Sequence, residues 1–297
     1  MGHRSQQRRL LYSAEGHEQT CQGRIGSYSL GLQSALAHQK GAPFSGAIGE
    51  PFLVHHAHIE DEQILNFNYF GGFRAEDEKR SAISNSLEFA IDWTGEFRLG
   101  SEIIISFSNE GETRGEYGLG DIELQLIKYA FLNQPERILT GVFEIGLPTG
   151  NENLGLGDNQ TALGALLFFD QAYRNWYLGF NAEFVSTVSG PSSREIELGL
   201  AISYSFINET GDGVAPSRPS QFMVPSLSVE LLSESILSGE EKGKNIVTFL
   251  SGLQLWHPDS GWQIRMGVQF PVSSDREYDY NVHFKIGNHF SWGRIFN

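Results

Sequence analysis

Apolar residues fall on every second position in run after run of this chain, from residue 62 to residue 290. Successive side chains of a strand point to opposite faces, so a period of two marks a strand with one face in an apolar medium. ILNFNYF (64–70) sets Leu65, Phe67 and Tyr69 against Asn66 and Asn68. LEFAIDW (87–93) sets Leu87, Phe89, Ile91 and Trp93 against Glu88 and Asp92. RLGSEIIISF (98–107) sets Leu99, Ile103, Ile105 and Phe107 against Arg98 and Glu102. The pattern returns at 121–131, 137–147, 160–169, 175–187, 194–206, 221–232, 245–256, 261–271 and 278–290, twelve runs in all. No helix-length segment with 3.6 spacing competes with them, so the chain is all-β.

The connections alternate in length. TGE (94–96), NQPE (133–136), DQAYR (170–174) and HPDSG (257–261) have the size and residues of hairpin turns. Residues 71–82, 108–120, 148–159, 188–194, 233–244 and 273–279 make longer loops, and only 208–220 is long where a short turn is due. Short turns at one end and long loops at the other, with an even strand count, suit a transmembrane barrel with both termini on the short-turn side. Two packed sheets are the rival arrangement, and the polar face decides between them. In a sandwich that face meets bulk water and carries mixed Lys, Thr, Ser and Glu. Here it carries Glu88, Asp92, Glu102, Glu123, Glu144, Glu183, Glu195, Glu197 and Glu230 among small residues, with almost no lysine. The apolar face has aromatics near strand ends, including Trp93, Trp176, Tyr204, Phe206, Trp262 and Phe270, as interfacial girdles require. The expectation is a single antiparallel up-and-down transmembrane β-barrel of about twelve strands over residues 58–297.

Composition removes other classes. With 36 Asp+Glu against 21 Lys+Arg and a net charge of −15, the chain lacks the basic surface a nucleic acid needs. One cysteine, Cys21, allows no internal disulfide and no cysteine zinc site. No stretch approaches 18 consecutive apolar residues, and a mean hydropathy of −0.26 fits a barrel as well as a water-soluble protein. Residues 1–57 read as a leader and periplasmic segment outside the barrel. Arg4, Arg8, Arg9 and the ALA at 35–37 suit a degenerate signal peptide, and the polar stretch between them suits a disordered leader. HHAH (55–58) before EDE (60–62) is the best metal-like cluster, with His55, His56 and His58 as weak candidate ligands for Zn²⁺ or Cu²⁺. Adjacent histidines of an extended chain point to opposite sides, so a solvated leader is expected there, with no metal and no cofactor. The two GLGD loops (118–121 and 155–158) do not continue as dinucleotide fingerprints. There is no G-x-S-x-G elbow, and His283 has no serine at a diagnostic spacing, so no enzyme is expected.

A polar face inside a barrel looks at a lumen. Twelve strands give a backbone diameter of roughly 24 Å and a clear bore of roughly 10–14 Å. Nine carboxylates there need cations. Straight alternation offers Arg98, Arg265 and Lys285, with His283 beside the last. Arg265 is expected as the central cation, its planar fork holding two acids of strands two to five across the closure, and Glu102 and Glu144 are expected on either side of Glu123.

GLGDIELQLIKYAFL (118–132) followed by FEIGLPTG (143–150) resembles the signature of the bacterial outer-membrane barrels named for the MetA pathway of phenol degradation, with Gly118, Gly120, Asp121, Tyr129, Pro148, Thr149 and Gly150 matching. Ile127 stands as an extra residue before Lys128, which reads as a β-bulge. The resemblance extends over 58–290. It implies a bacterial outer-membrane location and passage of small, often aromatic or apolar, solutes, with membrane lipid and the solute as partners; a plugged structural barrel without transport, or a membrane-embedded hydrolase, is the alternative. It supplies no catalytic residues. The lumen-lining candidates are therefore Glu88, Asp92, Glu102, Glu123, Glu144, Glu183, Glu197, Glu230, Arg265, His283 and Lys285.

Overall fold

The computed structural model describes residues 51–75, 78–94, 98–108, 117–134, 137–154, 156–157, 159–173, 175–190, 192–206, 223–239, 241–257 and 261–289. The leader (1–50), with Cys21 and its arginines, and the connection 208–220 lie outside these residues. The strands are β1 (Glu62–Ala75), β2 (Glu78–Asp92), β3 (Leu99–Ser108), β4 (Gly118–Gln134), β5 (Arg137–Leu147), β6 (Ala162–Tyr173), β7 (Trp176–Thr187), β8 (Arg194–Ser205), β9 (Val224–Ser238), β10 (Asn245–Trp256), β11 (Trp262–Pro271) and β12 (Tyr280–His289). Each pairs antiparallel with its neighbours in sequence, and β1 pairs with β12, so twelve strands close into one barrel without a free edge. Glu62 at the start of β1 faces His289 at the end of β12. Both termini of the sheet therefore lie at one end, the terminus end; the opposite end is the loop end.

Two expected loops are strand over half or more of their length. The hairpin at 71–82 carries β1 to Ala75 and starts β2 at Glu78, with a register shift between Gly71 and Phe73 and a left-handed backbone at Gly72 (φ +69°). The loop at 233–244 shrinks because β9 runs on to Ser238, placing Glu234 and Ile236 in the wall. Charged tips hide both extensions, because ladder hydrogen bonds do not require an apolar face.

The bulge at Ile127 is present. Register shifts on the β5 side between Gln125 and Ile127, and on the β3 side between Gly100 and Glu102. Leu126 and Ile127 are both exposed outward, and Lys128 turns into the interior. The matched glycine and proline motifs form one knot at the loop end. Asp121 Oδ1 accepts the Gly150 N–H (2.8 Å), and Thr149 Oγ1 donates to the Gly120 carbonyl (2.9 Å). A Cβ on Gly150 would overlap the Leu156 carbonyl, so only glycine fits there.

The outer face is apolar on all sides, with Phe67, Leu126, Phe143, Leu167, Phe180, Leu200, Val229, Phe249, Met266 and Val282 exposed. Aromatics collect at two levels. Trp176 packs edge-on against Tyr204 (4.9 Å) and Tyr204 against Phe206 (5.0 Å) near the terminus end. Tyr69 meets Tyr280 (6.4 Å), and Phe107 stacks on Tyr117 (6.4 Å), toward the loop end.

Candidate functional site

The interior at the terminus end is filled. Residues 51–61, which precede β1, run inside the barrel as a strap, so the solvated leader expected for 55–58 is overturned. Val54, Ala57 and Ile59 join the inward side chains Ala130, Ile138, Val142, Leu166, Phe168, Ala172, Tyr177 and Ala201 in one buried cluster. The wall makes room with glycine. Side chains at Gly252, Gly199 and Gly100 would overlap Phe52, Val54 and Ile59 respectively. Strands β5 and β6 carry apolar residues on both faces, and the strap is what their inner faces pack against.

A segment inside a barrel has no ladder, so its backbone needs partners from the wall. Glu230 supplies three. Its carboxylate accepts the N–H groups of Phe52 (2.5 Å), Leu53 (2.8 Å) and Val54 (3.0 Å). Asp170 accepts the Ala57 N–H (2.9 Å), Thr140 donates to the Ala57 carbonyl, and Arg265 Nη1 donates to the Pro51 carbonyl (2.7 Å).

The second half of the strap carries a buried polar cluster. His58 Nδ1 is 3.1 Å from Asp170, which also accepts the Tyr177 hydroxyl (2.6 Å). His58 Nε2 is 2.7 Å from Glu60, and His289 sits between Glu60 (2.9 Å) and Glu62 (3.2 Å). Burial works against a charged His58 ring, but Glu60 and Asp170 outweigh it and hold its pKa up to about 10. Despite its own burial, Glu60 is held below the ordinary carboxylate range by His289 and His58. His56 stacks on His58 (3.8 Å) and reaches Glu62 (3.5 Å), and His55 stacks on Phe168 (5.2 Å).

The inward charges divide by height. Glu102 pairs with Lys128 (2.7 Å), a cation that straight alternation misses because the bulge inverts the parity after Ile127. Gln125, not Glu123, lies between Glu102 and Glu144 in register, and its Nε2 donates to Glu144 (3.3 Å). Glu88 accepts from Asn66, and Asp92 accepts the Thr94 hydroxyl (2.8 Å) at the rim. Arg98 is exposed in the turn before β3 and does not serve the interior. Arg265 has its ion pair with Glu62 on β1 (3.5 Å), where acids of strands two to five were expected, and its Nε donates to Gln263 (3.1 Å). Lys285 lies between Arg265 and Asn66 in register and pairs with no carboxylate among the described residues. His283 donates from Nε2 to Gln269 (2.9 Å).

Toward the loop end the wall is acidic. Glu183 faces Glu197, and Glu197 faces Glu234, on three consecutive strands. Glu123 on β4 and Glu144 on β5 extend the band. No lysine or arginine among the described residues pairs with these five; the Asn181 amide donates to Glu183 (2.7 Å), and His55 lies 3.9 Å from it. Glu195 accepts from the Ser193 hydroxyl (2.8 Å).

No protein-family model and no curated protein sequence matches the chain. Solved structures do. The NanC porin aligns with a TM-score of 0.50 at 10% identity, over 77% of this chain and 99% of that one. An outer membrane channel from Pseudomonas putida F1 aligns with a TM-score of 0.53 at 14% identity, over 81% of this chain and 99% of that one. At these identities the likeness shows a shared fold, the closed antiparallel barrel.

Proposed function

We propose that this chain is a bacterial outer-membrane channel for small solutes, shut at the terminus end by the strap and filtered at the loop end by the acidic band. The observation that carries the reading is the band itself: Glu123, Glu144, Glu183, Glu197 and Glu234 face inward with no lysine or arginine partner among the described residues. A barrel that needs only to be filled gains nothing from such a row, because like charges directly opposite on paired strands are destabilising. A ring of carboxylates in a water-filled lumen attracts cations and repels anions. Transport is passive, and the solutes are small and cationic or neutral. The resemblance to the MetA-pathway barrels directs the search to aromatic compounds, which liposome swelling with aromatic and sugar panels would sort. The test of the filter is the reversal potential in planar bilayers, measured on barrels freed of residues 1–57. Glu183→Gln with Glu197→Gln is expected to lower the cation preference by several-fold. An unchanged reversal potential would remove the band from the conduction path.

The membrane location rests on the outer face. Leu200 is 40% exposed in the middle of β8. Leu200→Arg is expected to cost about 2–4 kcal/mol in folding into lipid vesicles, the penalty for a cation near the bilayer midplane. A cost near zero would mean that the face meets water.

A further inference from the structure

Two carboxylates of the acidic band are held in the same way. On β7 the Asn181 amide nitrogen donates to Glu183 (2.7 Å), and on β4 the Gln125 amide nitrogen donates to Glu144 (3.3 Å). Both amide side chains are fully buried. An ionised carboxylate only accepts, so each amide must turn its nitrogen to the acid and its carbonyl oxygen away. Neither oxygen, Asn181 Oδ1 or Gln125 Oε1, has a hydrogen-bond partner among the described residues, although buried amide oxygens normally have one. The Asn181 oxygen fills the room that Gly199 leaves, two residues along β8 from Glu197. Gln125 lies between Glu102 and Glu144 in register. Lys128, on the same strand as Gln125, is taken up by Glu102 (2.7 Å). The band is thus built of acceptors, carboxylate and amide, that lack donors.

These acceptors are strung along the wall. Glu183, Glu197 and Glu234 sit on consecutive strands, β7 to β9, with a strand spacing of about 4.8 Å. Glu144 and Glu123 continue the row on β5 and β4, across β6, where Gly164 faces Glu144. Calcium requires about six to eight oxygens around one point. Among the described residues, the one group of three ionisable ligand atoms within 4.8 Å of one another lies outside the band, at Glu60, Glu62 and His289. A spaced row of acceptors fits a cation whose charges are spaced as well. Ammonium groups separated by three or four methylenes stand about 5–6 Å apart in an extended chain of roughly 1.5 Å single bonds, close to the strand spacing. An ammonium group also brings only donors, which the unpaired oxygens lack.

We propose that the band binds a linear aliphatic polyamine, its successive ammonium groups lying against Glu144, Glu183 and Glu197, with the Gln125 and Asn181 carbonyl oxygens as further acceptors. The inference rests on the channel reading for a lumen that solutes enter from the loop end. His55 marks the strap side of the site, its Nε2 3.9 Å from Glu183 and beyond hydrogen-bond reach. Asn181 and Gln125 act by aiming the carboxylates as well as by offering their own oxygens, so the site is more than a diffuse negative field.

The test is isothermal titration calorimetry on the full-length chain in uncharged detergent. The probes are bis(3-aminopropyl)amine, a linear triamine; hexaamminecobalt(III), which carries three charges at one point; and propylamine. The triamine is expected to bind with one equivalent, about tenfold or more tighter than the cobalt complex, and propylamine more weakly than either. Asn181→Leu and Gln125→Met leave the charge of the band unchanged, and each should weaken the triamine about tenfold while the cobalt complex binds as before, with circular dichroism confirming the barrel. No saturable triamine uptake overturns the proposal. So does a triamine that binds no tighter than the cobalt complex, or one that neither amide variant affects. If neither variant folds, the three probes on the wild type decide alone. The reversal potential keeps the two readings apart. A cation preference without saturable triamine uptake removes the site and leaves the filter. Saturable uptake, with a reversal potential that Glu183→Gln with Glu197→Gln does not move, supports the site and removes the filter.

Discussion

A chain beginning at His58 is expected to conduct where the full-length barrel does not, with a current rise on the order of tenfold or more for a bore of roughly 10–14 Å. The barrel itself should persist, because every ladder hydrogen bond lies at or after Glu62. What is lost is the occupant of the lumen. Phe52 leaves the clearing over Gly252, and Val54 leaves the one over Gly199. Glu230 and Arg265 then exchange the Phe52–Val54 amides and the Pro51 carbonyl for water. Hydrated, those groups add polar lining at the height where the strap made a dry core. A point substitution should approach the same state. Gly252→Leu puts a side chain where the Phe52 ring lies, so one of the two must move, and the strap is the part with no ladder to hold it. The measurement is single-channel current in planar bilayers for all three chains at equal salt. Equal silence from the full chain and the chain beginning at His58 would show that something other than the strap closes the lumen.

The barrel was legible because its signal is local. A period of two needs only neighbouring residues, and twelve runs of it leave little else to build. The bulge was legible for the same reason, since Leu126 and Ile127 break the alternation in place. Its consequence for Lys128 required carrying the inverted parity one residue further. The contents of the lumen were not legible. PFLVHHAHIE (51–60) is short and has no period of its own, and its partners Glu230, Asp170 and Thr140 are more than 80 residues away. The one available hint was that Ile138, Val142, Leu166 and Phe168 make the inner faces of β5 and β6 apolar, which a water-filled lumen does not need. Parity also states the face of a residue but not its height. Arg265 points inward, yet its pairing with Glu62 rather than with Glu102 depends on strand stagger around the closure, which no single segment encodes. Glu234 was lost because SESILSGEEKGK (233–244) reads as a charged loop although its first half is strand.

Asp170→Ala should be the most damaging single substitution of the interior, at about 3–5 kcal/mol, the cost of removing one member of a buried charged pair. The carboxylate is fully buried and serves three donors: the Ala57 N–H, His58 Nδ1 and the Tyr177 hydroxyl. Tyr177→Phe removes one neutral donor and should cost only about 0.5–1.5 kcal/mol. The larger loss has two ways to appear. If the strap stays docked, the whole penalty falls on the barrel, and its urea midpoint drops. If the strap can leave, undocking relieves the unpaired His58, and the free energy of docking then caps the cost. In that case the urea midpoint moves less and the current rises toward that of the chain beginning at His58. Urea unfolding in lipid vesicles and single-channel current, measured on the same variant, separate the two. A variant that loses neither stability nor closure would show that the strap is not held through Asp170.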